Sequence, residues 1–187
     1  MQKTKRTKSE KIKMLCLASV MAALYVALDF LAVSVSAPFG GTLKLSFSGL
    51  PVIIVSIVGG PLWGAATGFV GAFIGQLVTY GLAPTTLLWV LPAVVRGLLF
   101  GFLFNAFGRR TSVGILAVET CVSSLAVTLI NTGALLIDQT IYKCSSYYTT
   151  FAAIPTRIIA GILTAIVFSI MLPTIIELLR KHLKMQI

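Results

Sequence analysis

Residues 87–104, LLWVLPAVVRGLLFGFLF, and residues 151–168, FAAIPTRIIAGILTAIVF, decide the fold. Each is a run of membrane character, since a spanning helix needs about 20 predominantly apolar residues. Each also holds one arginine, Arg96 in the first and Arg157 in the second. A guanidinium at the bilayer centre costs roughly 2.5–3.5 kcal/mol on insertion scales. Neither arginine therefore faces lipid. They turn inward, toward each other, toward a carboxylate, or toward a cavity that receives an anionic ligand.

The rest of the chain agrees with a membrane reading. It is 57% hydrophobic and 11% charged over 187 residues, against a soluble norm of about 25% charged. That length holds about six spans of ~20 residues and no separate soluble domain. The net charge of +10 would suggest nucleic acid in a soluble protein. Here the basic residues cluster at Lys3, Lys5, Arg6, Lys8, Lys11 and Lys13, at Arg109 and Arg110, and at Arg180, Lys181 and Lys184. That is the positive-inside pattern, with anionic headgroups as the partner and no nucleic acid. The basic start runs into a full-length span without a small-residue cleavage site, so no signal peptide is read.

Read along the chain, a basic cytoplasmic tail (1–11) precedes spans at about 12–35, 47–58, 62–82, 85–107, 113–137 and 149–180. The expected fold class is all-α: a polytopic membrane protein whose six transmembrane helices form one compact bundle. SAPFGGTLKLS (36–46) reads as a Gly/Pro-rich loop and Gly59-Gly60-Pro61 as a tight turn. The second span is short and contains Pro51, which predicts a kinked or partly re-entrant segment. Six spans put both termini on the cytoplasmic side, with Lys44 and Lys143 outside.

Several stripes offer chemistry. In span 1, Ala18-x-x-x-Ala22 and Ala23-x-x-x-Ala27 form a small-residue face, either for packing inside the bundle or for docking another membrane protein. Gly64, Gly68, Gly71 and Gly75 suit close helix packing in span 3, and Gln76, Thr79 and Tyr80 at its outer end are polar enough to line a pocket. Trp89, Pro92, Ala93 and Arg96 share one face of span 4 at i, i+3, i+4 and i+7. That places an aromatic ring above a buried cation, although Trp89 also fits an interfacial belt. Span 5 carries Glu119, Ser123 and Asn131 at multiples of four. Asn131 is a candidate ligand hydrogen bonder, whereas Glu119 reads as the neutralising partner of an arginine. Asp29, near the outer end of span 1, either pairs with Arg157 or contacts the ligand.

Some chemistry is missing. No HExxH, GxSxG, Walker motif or paired intramembrane Asp occurs, so no enzyme is read. Cys16 and Cys121 read as packing residues, Cys144 falls in an outward loop, and none has metal-ligand spacing. His182, the only histidine, falls in the basic tail, which excludes a His-based metal site.

LKLSFSGLPVIIVSIVGGPLWGAATGFVGAFIG (43–75), with its Leu50-Pro51 and Gly60-Pro61-x-x-Gly64, follows a basic N-terminus and the Ala18/Ala22 motif. In these features the chain resembles the substrate-binding S component of energy-coupling factor (ECF) vitamin transporters, most like the folate and pantothenate branches. The resemblance covers nearly the whole chain. One departure is the absence of an acidic residue near Ala72 or Phe73. The resemblance implies a prokaryotic plasma-membrane protein that binds a vitamin in its outward half. It further implies an ECF T subunit and two ATPase subunits as partners. This chain itself holds no cofactor, and ATP is hydrolysed by those partners. The T subunit would meet Ala18, Ala22, Ala23 and Ala27. Arg96 and Arg157 favour a carboxylate, and Trp89, Phe39, Phe47 and Phe151 suit a flat heterocycle. Folate has both parts and is the expected ligand, with pantothenate next. Asp29, Gln76 and Asn131 complete the expected site. The other reading is a self-sufficient small secondary transporter or channel.

Overall fold

The computed structural model describes residues 8–36, 42–142 and 147–183. Six helices follow in order: α1 (Lys8–Phe30), α2 (Gly49–Gly59), α3 (Pro61–Tyr80), α4 (Thr86–Ala106), α5 (Val113–Tyr142) and α6 (Tyr147–Leu183). Between α1 and α2 lie two short strands, β1 (Val33–Ser36) and β2 (Thr42–Leu45). Five of the helices are long and apolar enough to cross a membrane. The all-helical bundle read from the sequence is the observed architecture, with one addition. The expected loop after span 1 is an antiparallel hairpin, pairing Val33 with Leu45 and Ser36 with Thr42. Accordingly α1 ends at Phe30 rather than near residue 35.

The sixth helix, α2, is 11 residues long. At ~1.5 Å per residue it reaches about 16 Å, roughly half of a ~30 Å hydrocarbon layer. It is buried from Gly49 through Val58 and packs against α1, α3 and α4. Pro51, on which the expectation of a kinked or partly re-entrant segment rests, is the third residue of this helix. The proline sits in the first turn, where its missing N–H has no intrahelical partner to lose. Gly60, at φ 97°, then turns the chain into α3, because a left-handed residue without a Cβ carries no steric penalty.

The centre of the bundle is a node of three helices. Ser56 of α2 donates to the Gly97 carbonyl of α4 at 2.9 Å and to its own Val52 carbonyl at 2.8 Å. A Cβ on Gly97 would meet the Gly64–Ala65 backbone of α3, with the Ala65 nitrogen at 2.6 Å. Backbone thus packs directly on backbone, the close approach that small residues permit in lipid. Of the span 3 glycines, Gly64, Gly68 and Gly71 pack on Ser56, the Ala93 carbonyl and the Tyr25 ring. Gly75 does not: a Cβ there would meet nothing within 4 Å.

Toward the other end of the bundle, Leu50, Ile53, Ile57, Phe100, Phe104, Leu116, Phe168, Leu172 and Ile176 form the main apolar core between α2, α4, α5 and α6. Arg109 closes this end. It lies in the α4–α5 turn at φ 59°. Its Nη2 donates to the Ile57 carbonyl at 3.1 Å, a cation on the C-terminal turn of α2, where the helix dipole favours it. Cys16 and Cys121 are exposed on the outer surface of the bundle rather than packed within it.

Candidate functional site

One large cavity, of about 770 Å³, opens among α1, α3, α4, α5 and α6. That volume lies within the ~300–1,000 Å³ typical of small-molecule clefts. Its walls come from helix faces set by the 3.6-residue period. Helix α4 contributes Trp89, Pro92, Ala93 and Arg96, the face read from the sequence. Ser124, Val127, Thr128, Asn131, Asp138 and Tyr142 come from α5, and Arg157, Ala160, Gly161 and Thr164 from α6. Tyr25 and Asp29 of α1 and Gly75, Gln76, Thr79 and Tyr80 of α3 close the remaining side.

Arg96 is seated against the first turn of α2. A Cβ on Gly49 would overlap its Nη1 and lie 2.9 Å from its Cζ, so the guanidinium occupies space that only a glycine leaves open. Its Cζ lies 6.0 Å from the centre of the Phe168 ring, at the outer limit of a cation–π contact. The Asp29 carboxylate accepts from the hydroxyls of Ser46 and Ser48, at 3.4 and 3.5 Å. Those serines bond each other at 2.8 Å, so this acid braces the link between β2 and α2.

Six of the nine ligand-site residues read from the sequence line this cavity: Asp29, Gln76, Trp89, Arg96, Asn131 and Arg157. Phe47 does not. It is exposed and borders a separate groove of about 40 Å³ with Ser46, Thr164, Val167 and Phe168, because the turn into α2 directs it away from the cavity. Phe39 and the side chain of Phe151 lie outside the described residues.

Two further expectations are corrected. Glu119 neutralises no arginine among the described residues: it is fully buried in α5, and both carboxylate oxygens lack a hydrogen-bond partner there. It lies one turn from Leu116, on the part of α5 that joins the apolar core. The four alanines of α1 also do not share one face. Ala18 and Ala22 are 8% and 4% exposed and line up with Met14 and Tyr25 on the side that packs on α2 and α3. Ala23 and Ala27 are exposed on the opposite side.

Tyr25, Asp138 and Tyr142 were not read as site residues. The last two belonged to an expected polar loop after residue 137, but α5 continues to Tyr142. Their signal was spacing: Asn131, Asp138 and Tyr142 continue the i, i+7, i+11 face of one helix. With Asp138 included, the described lining holds two arginines, Arg96 and Arg157, and two aspartates, Asp29 and Asp138. The formal charges cancel.

The chain is thus a small helical bundle of membrane character that encloses this polar cavity. The chain belongs to the ECF-type riboflavin transporter S component family, whose model matches residues 9–181. That is a family of transporter components and not of enzymes. The chain is also similar in fold to a solved structure of the S component of a bacterial ECF transporter, with a TM-score of 0.61. The identity is 20%, over 91% of this chain and 99% of that one. No individually curated protein matches the chain.

Proposed function

We propose that this chain is the vitamin-binding subunit of an ECF-type importer and that its ligand is riboflavin, held in the 770 Å³ cavity. The observation that carries the ligand class is the charge balance of the lining. Counting arginines alone favours a carboxylate. Counting Asp29 and Asp138 as well leaves no net charge to attract one. A flat, uncharged ring system with a hydroxyl-rich chain suits this lining better. Trp89 and Tyr25 offer faces for the ring, and Asn131, Gln76, Thr128 and Thr164 offer donors and acceptors for its polar edge. The family name points to the same vitamin.

Folate is the second reading. It rests on Arg96 and Arg157 lining the same cavity, since a planar guanidinium matches a carboxylate two bonds at a time.

The partners are an ECF T subunit and two ATPase subunits, which supply the energy, and both termini are cytoplasmic. With Ala18 and Ala22 turned into the bundle, the exposed Ala23 and Ala27, with Ser19 one turn before them, are left on α1 for a T-subunit helix.

The purified chain, titrated in detergent with riboflavin, folate and pantothenate, tests the ligand. Saturable one-to-one quenching of flavin fluorescence, with no response to the other two, is expected. Tight folate binding without riboflavin binding would replace the first reading by the second. Proteoliposomes test the partners: the chain alone binds but does not accumulate the vitamin, and ATP-driven uptake needs the other subunits. Accumulation by the chain alone would make it a self-sufficient transporter.

A further inference from the structure

We propose that Asp138 sets the charge preference of the cavity, admitting the uncharged vitamin and rejecting its anionic derivatives. The inference rests on the reading of the cavity as a riboflavin site. Asp138 is half-buried near the outer end of α5 and lines the cavity. Its Oδ1 is shielded from solvent and has no hydrogen-bond partner among the described residues. A buried carboxylate oxygen without a donor is costly, and a turn about the broad terminal torsion of the side chain would present it to a ligand hydroxyl or N–H in the cavity. The other lining acid, Asp29, already accepts from Ser46 and Ser48. Of the two lining acids, Asp138 is therefore the one with an oxygen that accepts nothing among the described residues.

The same group works against anions. Arg96 and Arg157 would draw a carboxylate or phosphate into the site. Asp138 offsets one of those two charges and adds a like-charge contact for any anionic tail. Specificity by a repulsive element of this kind discriminates between ligands that share every other contact.

Riboflavin and riboflavin 5′-phosphate make the comparison, because they share the ring and differ in charge at the chain end. Each is titrated into the full-length wild type, Asp138→Asn and Asp138→Glu in detergent, with a thermal melt of each protein. The Asn variant keeps the shape and removes the charge. It should weaken riboflavin by about tenfold and move the affinity ratio about tenfold toward the phosphate, the scale of one charge-assisted hydrogen bond. Its melting midpoint should be unchanged, and the Glu variant should keep the wild-type preference. A ratio within about twofold of wild type in the Asn variant would overturn the role of Asp138 and leave the riboflavin reading standing. Equal loss of both ligands together with a lowered midpoint, or failure of the Asn variant to fold, would make Asp138 a structural residue instead. A wild type that binds neither flavin overturns both readings.

Discussion

A single methyl group at Gly49 tests whether the seat of Arg96 matters to binding. The Cβ of Gly49→Ala would lie 2.9 Å from Arg96 Cζ and 3.0 Å from Phe168 Cε2. Ordinary contact begins near 3.4 Å, so the guanidinium carbon must retreat by at least about 0.5 Å, and Nη1 by more. The moving group is the end of a flexible arm, and alanine is favoured over glycine in a helix by roughly 0.5–1 kcal/mol. Net stability should therefore change by less than about 1 kcal/mol. Binding should change more. A guanidinium displaced from its ligand loses a charge-assisted bond of about 1.5–3 kcal/mol, a factor of roughly 10–150 in affinity. Flavin fluorescence titration and a thermal melt on the same preparation measure both quantities. The cycle with Arg96→Ala completes the test. If Gly49→Ala acts through Arg96, the double variant is no weaker than Arg96→Ala alone. Wild-type affinity in Gly49→Ala, or additive losses in the cycle, would refute the idea that this glycine positions the cation.

Three further outcomes are expected. Gly97→Ala forces α4 off the α3 backbone and should cost about 1–3 kcal/mol, read as a lower melting midpoint; an unchanged midpoint would mean that the helices separate freely. Ala18→Leu, facing the bundle, should lower stability and binding together, whereas Ala23→Leu, facing out, should spare binding and reduce uptake by the assembled transporter; equal effects of both on binding would erase the distinction between the two faces. Glu119→Gln keeps the shape of a buried side chain whose oxygens have no partner among the described residues, and it should leave the midpoint equal or higher, because an uncompensated buried charge costs several kcal/mol. A fall of several degrees would reveal a partner for the carboxylate.

The spans were legible because lipid demands long apolar runs, and the Trp89–Arg96 face because helical periodicity is fixed. Which side of a helix points inward was much less legible. Lipid and protein interior are equally apolar, so the alanines of α1 carry no sign of direction, and only the structure separates Ala18 from Ala23. Val33–Ser36 and Thr42–Leu45 did carry the period-two alternation of strands, VSVS and TLKL. The Pro and Gly residues between them outweighed that signal and suggested a loop. Asp138 was hidden for a similar reason. Its polar neighbours read as the end of a span, although the helix, once packed on α6, continues past them. Without Asp138 the cavity looked cationic, and an anionic vitamin was the natural inference.

Gly75 gives the cavity a ruler. It lies in the wall, and a Cβ built there meets nothing from the neighbouring helices within 4 Å. Ala, Ser, Val and Leu at this position would extend from the wall into the proposed ligand space. The size at which uptake fails would measure the clearance above the bound ligand. A trimmed analogue that restores uptake in the bulkiest tolerated variant would make an importer addressed to a compound that the parent protein does not prefer.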